Sequence, residues 1–102
     1  MERIKKLKDY LIKAPDDSFL KHALALEYIN LGEDELARQQ FTEILSKDPS
    51  YVGSYYHLAK LLERIGEPET AKKTYEQGMQ EAKKLGDQHS YNELQAAYQN
   101  LS

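Results

Sequence analysis

The amino-acid sequence predicts an all-α fold, an α-solenoid of antiparallel helix-turn-helix repeats with about six helices. Three observations lead to this prediction. The sequence resembles itself after a shift of 34 residues, apolar residues recur at helical spacing inside each repeat, and glycine or proline interrupts the pattern where a helix should end. We expect all the helices to form a single domain over residues 1–102.

The internal repeat depends on identical residues at equivalent positions. A shift of 34 residues pairs Leu24 with Leu58, Ala25 with Ala59, Gly32 with Gly66, Glu33 with Glu67, Glu35 with Glu69 and Ala37 with Ala71. The same shift keeps apolar character in the pairs Tyr28 with Leu62, Leu31 with Ile65, Phe41 with Tyr75 and Leu45 with Met79. A period of this length is typical of stacked helix pairs.

The opening segment is predicted to be a lone helix near residues 2–13, inside a half repeat over 1–15. Ile4, Leu7 and Leu11 form one apolar stripe along it. Ala14 and Pro15 end it, because a residue before proline is pushed out of helical geometry. Its register is that of the second helix of a repeat whose first helix is missing.

The first full repeat, residues 16–49, is predicted to hold helices near 17–31 and 34–47. The apolar stripes share helical spacing and comprise Leu20, Leu24, Tyr28 and Leu31, then Leu36, Ala37, Phe41, Ile44 and Leu45. Gly32 is expected to end the first helix in a left-handed conformation, and the acidic residues after it suit the start of the next helix. Pro49 closes the repeat.

The second repeat, residues 50–85, is predicted to hold helices near 51–65 and 68–85. Gly66 is the expected turn between them, and Pro68 stands where a first helical turn tolerates proline. Residues 86–102 are predicted to form a capping helix near 88–101. Its apolar stripe comprises Tyr91, Leu94, Ala97, Tyr98 and Leu101.

Composition limits the classes of protein that fit. With no cysteine, the chain has no disulfide framework, thiolate zinc site or cysteine nucleophile. The opening lacks a signal-peptide core and no run could span a bilayer, so we expect a cytoplasmic protein without a membrane partner. Residues 1–13 carry a net charge of +3, but the total of −3 argues against a nucleic-acid partner.

In the residues that recur every 34 positions, the chain resembles the tetratricopeptide repeat family, whose unit reads W-x2-L-G-x2-Y, then A-x3-F, then P. The matching residues are Leu24, Ala25, Tyr28, Ala37, Phe41 and Pro49 in the first repeat, and Tyr55, Leu58, Ala59, Leu62, Ala71 and Tyr75 in the second. Lys21 replaces the tryptophan of the first repeat. Lys83 replaces the closing proline of the second, which lets that helix continue toward Leu85.

The resemblance implies a superhelix whose concave surface is lined by the first helix of each pair and binds a protein or peptide segment. The implied partner-binding residues are Phe19, His22, Leu26, Ile29 and Asn30 in the first repeat, and Tyr56, Lys60, Glu63 and Arg64 in the second. Ser90, Leu94 and Tyr98 could continue this surface. Tyr56 is the central candidate, because tyrosine is enriched at binding hot spots.

Other interpretations stay open at this point. Phe19, Leu26 and Ile29 could instead pack on the opening helix or on a repeat outside this sequence, whereas Tyr55 is expected in the core. A carboxylate clamp of the kind found in one subclass of the family is disfavoured, because its asparagines are absent. Self-association through exposed end helices is the alternative function, which would make the chain a homo-oligomer. RNA binding is a weaker possibility.

No catalytic or metal site is predicted. His22, His57 and His89 fall on three different predicted helices without the spacing of metal ligands. No serine lies in a nucleophile elbow, and no glycine-rich phosphate loop occurs. Asp16 and Asp17 stand at a helix start, where acidic residues stabilise the helix dipole. The sequence therefore predicts a protein-interaction scaffold that is not an enzyme and needs no cofactor.

Overall fold

The computed structural model describes residues 2–101, which form six α-helices joined by short turns. The helices are α1 (Glu2–Lys13), α2 (Ser18–Asn30), α3 (Asp34–Lys47), α4 (Gly53–Arg64), α5 (Pro68–Leu85) and α6 (Gln88–Gln99). Every predicted helix is present, and each end lies within two residues of its predicted position. The all-α helical repeat fold is therefore confirmed.

The turns inside both repeats have the predicted left-handed glycine. Gly32 has φ 77° and Gly66 has φ 84°, a region that side chains with a Cβ rarely adopt. The next N–H in each turn donates back to the helix, from Glu33 to the carbonyl of Tyr28 at 2.9 Å and from Glu67 to that of Leu62 at 2.8 Å. Each first helix therefore ends with its last carbonyls satisfied.

Side chains at the start of α2 also close the first repeat. Asp17 is the N-cap, and its carboxylate accepts the N–H of Leu20 at 3.0 Å. Lys47, at the end of α3, donates to Asp16 at 2.6 Å, and Ser18 donates to Asp48 at 3.2 Å. The hydrogen bond with Lys47 lowers the pKa of Asp16. The two ends of the repeat are thereby joined.

The chain divides into two compact units, Met1–Asp48 and Pro49–Ser102. In unit 1, α2 packs against both α1 and α3. Its buried apolar residues are Leu7, Ala23, Leu24, Ala25, Tyr28, Ala37, Phe41 and Ile44. In unit 2, α5 packs against α4 and α6, and α4 also contacts α6. Its buried apolar residues are Tyr55, Leu58, Ala59, Leu61, Leu62, Ala71, Tyr75, Ala82, Leu94 and Ala97.

Small residues at equivalent positions of the two repeats are completely buried. Ala25, Ala37, Ala59 and Ala71 are each 0% exposed. Leu36, which the sequence placed on an apolar stripe, remains exposed because it stands in the first turn of α3, close to the Gly32 turn. Across residues 2–101, no helix is both long and apolar enough to cross a membrane.

Candidate partner-binding surfaces

Five of the predicted binding residues lie on α2 in unit 1: Phe19, His22, Leu26, Ile29 and Asn30. Phe19 is 68% exposed, so α1 does not bury it and the alternative of packing on the opening helix is wrong for this residue. Leu26 and Ile29 are half-buried, as expected for side chains that share contacts between the core and a surface. This part of α2 therefore exposes a mainly apolar face.

His22 connects that face to the core of unit 1. Its ring meets the ring of Phe41 edge-on, with centroids 5.6 Å apart and planes at 70°. Phe41 is fully buried, whereas His22 is half-buried. An edge-to-face contact of this kind restricts the imidazole, so a partner would meet a pre-positioned ring.

The other four predicted residues lie on α4 in unit 2: Tyr56, Lys60, Glu63 and Arg64. The Lys60 ammonium lies 5.9 Å from the centroid of the Tyr56 ring, within the range of a cation–π contact. The ring of His57 lies edge-on to the Tyr56 ring, with centroids 5.6 Å apart. The half-exposed ring of Tyr56 therefore has contacts with a cation and with a second ring.

Glu63 is tied to the core of unit 2 by a buried hydroxyl group. Tyr75 on α5 is 0% exposed, and its hydroxyl donates a hydrogen bond to Oε2 of Glu63. The same oxygen lies 4.0 Å from Nζ of Lys60. Burial, followed by the contact with the Glu63 carboxylate, raises the pKa of Tyr75, so its hydroxyl stays protonated and remains a donor.

Sequence reasoning missed the part that Tyr75 plays beside this surface, since the repeat pattern assigned it only to the core. A signal was nevertheless present. The 34-residue shift pairs Tyr75 with Phe41 and Glu63 with Ile29. The two positions change together from apolar to hydrogen-bonding residues between the repeats, which is the change that a hydroxyl donor and a carboxylate acceptor require.

The three residues proposed to continue the surface on α6 have separate environments. Ser90 donates from its hydroxyl to Asp87 at 2.7 Å, and Tyr98 donates to Glu76 at 3.0 Å. The prediction for Leu94 as a surface residue is wrong, because Leu94 is only 1% exposed. It belongs to the apolar side of α6, which packs against α5.

Histidine and acidic side chains do not form a metal site in residues 2–101. No group of three or more His, Asp or Glu side chains in this range converges as metal ligands would. His89 is exposed and 4.0 Å from Glu93, a neighbour one helical turn away on α6. The candidate surfaces offer aromatic, apolar and charged side chains, which suit binding.

Known proteins share both the sequence pattern and this fold. The family model described as tetratricopeptide repeat matches residues 41–73. The solution structure of a tetratricopeptide repeat domain protein from Salinibacter ruber is 40% identical to this chain, with a TM-score of 0.83, and the match covers 86% of this chain and 89% of that one. The chain belongs to the tetratricopeptide repeat family.

Two further comparisons place this tetratricopeptide repeat protein among its relatives. A TPR repeat-containing protein of Pseudomonas aeruginosa is 28% identical over 91 residues, which cover 89% of this chain and 87% of that protein. The TPR2B domain of yeast Sti1, solved as a complex with pHsp70, is 19% identical with a TM-score of 0.89, and the match covers 96% of this chain and 78% of that one. The second comparison shows a shared fold alone.

Membership of the family also carries a general functional statement. Tetratricopeptide repeats generally mediate protein–protein interaction, and proteins built from them are generally non-catalytic scaffolds. Which partner binds, and which residues contact it, depends on the individual surfaces.

Proposed function

We propose that this chain is a scaffold that binds an extended or helical segment of a partner protein or peptide on the concave face of its repeat array, the face that α2 and α4 line in the family. The proposed contact residues are Phe19, His22, Leu26, Ile29, Asn30, Tyr56, Lys60, Glu63 and Arg64. The same proposal includes a cytoplasmic location and no catalytic role.

The observation that carries this proposal is the environment of Tyr56. Its ring is half-exposed, yet it is held by the ammonium of Lys60 and the ring of His57. A restrained aromatic side chain offers a large contact area at a low cost in conformational entropy, which is why tyrosine is frequent at hot spots. Phe19 offers a second exposed aromatic group on α2.

Replacing Tyr56 with alanine tests the proposal. We expect Tyr56→Ala to weaken capture of the partner by about 2 kcal/mol or more, which is roughly 30-fold in affinity, because a hot-spot ring is lost. The thermal midpoint should change little, since the ring is only half-buried. Affinity capture from cell extract and thermal melting, both on one preparation, measure the two quantities.

Tyr91→Ala is the matched control, because Tyr91 is also half-buried in unit 2 but lies on α6. The control should capture as much partner as the wild type does. Equal capture by Tyr56→Ala and the wild type, with equal melting, would remove Tyr56 from the site. A fall of several degrees in the midpoint of Tyr56→Ala would instead identify it as a core residue.

Self-association is the second candidate function, and exposed apolar side chains favour it. Ile12 is 79% exposed and Tyr10 is 58% exposed on α1, while Leu85 is 56% exposed at the end of α5. Large apolar side chains in contact with water are candidate contacts between two copies of the chain. Size-exclusion chromatography over a series of protein concentrations distinguishes a stable monomer from a dimer or larger assembly.

A further inference from the structure

Within the proposed partner-binding function, on which this inference rests, we propose that the α4 surface selects a partner segment that carries an acidic side chain. The acidic group binds the ammonium of Lys60. Tyr75 is a positioning residue in this proposal, because its hydroxyl holds the Glu63 carboxylate and keeps it from hydrogen-bonding to the Lys60 ammonium.

One carboxylate oxygen of Glu63 lies near both the Tyr75 hydroxyl and the Lys60 ammonium. Oε2 of Glu63 accepts the hydrogen bond from the buried Tyr75 hydroxyl, whereas Nζ of Lys60 lies 4.0 Å from that same oxygen. A separation of 4.0 Å is too long for a hydrogen bond. The Lys60 side chain is also 47% exposed, and an exposed pair at this distance contributes little. The ammonium therefore keeps its hydrogen-bond donors available.

The Tyr56 ring restrains the side chain of Lys60. Its ammonium lies 5.9 Å from the Tyr56 ring centroid, so the flexible side chain is restrained beside the aromatic face. Arg64 follows one helical turn later and is exposed. A carboxylate of the partner can therefore form a charge-assisted hydrogen bond with Lys60, typically about 2.7 to 2.9 Å long.

The first repeat has no equivalent of the charged residues on α4. The 34-residue shift pairs Lys60 with Leu26, Glu63 with Ile29, Arg64 with Asn30, Tyr56 with His22 and Tyr75 with Phe41. None of the α2 residues in this set carries a formal charge when histidine is neutral. The surface of α2 therefore suits apolar side chains, and selection for an acidic group is assigned to α4 alone.

Selection from a phage library of random linear peptides, displayed without a free C-terminus, tests the preference directly. We expect the enriched peptides to contain Asp or Glu beside apolar residues, and their binding to weaken as salt is added. A synthetic enriched peptide should lose about tenfold in affinity for Lys60→Ala, because one hydrogen bond between charged groups is lost. Because the display format has no terminal carboxylate, any carboxylate in an enriched peptide belongs to a side chain.

Two variants test the positioning role of Tyr75. Tyr75→Phe should keep the fold, since Phe41 fills the equivalent buried position in the first repeat. The Glu63 carboxylate, released from the hydroxyl, should then pair with Lys60, and binding of the acidic peptide should weaken several-fold. The double variant Glu63→Gln with Tyr75→Phe has no carboxylate at this position, so binding should recover. A purely structural role for Tyr75 predicts that the double variant binds as weakly as Tyr75→Phe.

The remaining outcomes separate this inference from the function on which it rests. Enriched peptides without acidic residues would overturn the acidic preference and leave partner binding supported. Unchanged acidic-peptide binding by Tyr75→Phe, or no recovery in the double variant, would overturn the positioning role. If no peptide is enriched above an unrelated helical protein used as control, both the proposed function and this inference are contradicted.

Discussion

The buried hydroxyl groups of Tyr55 and Tyr75 distinguish the second repeat from the first at the level of single residues. Tyr55 donates to the carbonyl of Pro49 at 2.7 Å, and Tyr75 donates to Glu63. A buried hydroxyl without a partner costs free energy, so each of these tyrosines requires its acceptor. Lys21 and Phe41 hold the equivalent positions in the first repeat, and neither side chain carries a hydroxyl group.

We expect the stability of the protein to depend on pH through His57. Burial lowers its pKa from the ordinary value of 6.5, although Glu93 opposes this shift. The unfolded chain therefore takes up a proton at a higher pH than the folded chain does. As pH falls from about 7 to about 5, the free energy of unfolding should decrease, because the unfolded state binds more protons.

Urea unfolding of the wild type and of His57→Gln at both pH values measures this dependence. The variant has no imidazole at position 57, so its loss of stability between the two pH values should be smaller. His89→Gln, which removes an exposed imidazole, should behave as the wild type. If the free energy of unfolding depends on pH identically in the wild type and in His57→Gln, the assignment to His57 is contradicted.

The lowered carboxyl pKa values of Asp16 and Asp87 affect stability only in more acidic solution, below their ordinary 3.8.

At the scale of helices, Gly78 allows α5 to approach α4 and α6 closely. A Cβ at this position would lie 2.7 Å from Cβ of Tyr55 and 3.0 Å from Cδ1 of Leu94. The equivalent residue in the first repeat is Ile44, and the residue equivalent to Tyr55 is Lys21. The second repeat therefore combines a large aromatic residue on its first helix with a glycine on its second.

Gly78→Ala should destabilise the protein. Alanine favours a helix over glycine by about 1 kcal/mol, but overpacking commonly costs about 1 to 3 kcal/mol. The second effect should dominate, because Cβ of Tyr55 is attached to the backbone and cannot turn away. Thermal melting should show a lower midpoint. Gly53→Ala is the control: a Cβ at position 53 meets nothing within 4 Å, so that variant should melt at the same or a higher temperature.

The helices could be predicted from the sequence because local chemistry determines their ends. Two positive-φ glycines and Pro68 lie where the pattern required them. The predicted continuation of α5 to Leu85, in the absence of a closing proline, is confirmed. The start of α4 was predicted two residues too early, since Val52 provides no side-chain cap and leaves no signal for the boundary.

The surfaces were less predictable because they depend on contacts between helices. The pattern placed nine candidate residues on α2 and α4 but gave no information on which were restrained. The bond between Tyr75 and Glu63 joins residues on two helices, and the burial of Leu94 depends on how α6 packs against α5. The first feature does not follow from apolar spacing within one helix, whereas the predicted apolar stripe of the last helix already contained Leu94.

At the scale of the whole molecule, two kinds of exposed surface compete as sites of interaction. Phe19 and Tyr56 are on the first helices of the two repeats, which the family resemblance assigns to partner binding. Tyr10 and Leu85 are exposed on α1 and at the end of α5, where self-association would place its contacts. The side chains are of similar size and hydrophobicity, so composition alone does not decide between them.

Photo-crosslinking in cells tests partner binding through α2 and α4 most directly. A photoreactive phenylalanine analogue replaces Phe19, Tyr56, Tyr10 or Leu85, one at a time, and crosslinked products are identified by mass spectrometry. The proposed function predicts that positions 19 and 56 both crosslink to the same partner protein, while positions 10 and 85 do not. Crosslinks from positions 10 and 85 to a second copy of this chain, with none to another protein from positions 19 and 56, would contradict it.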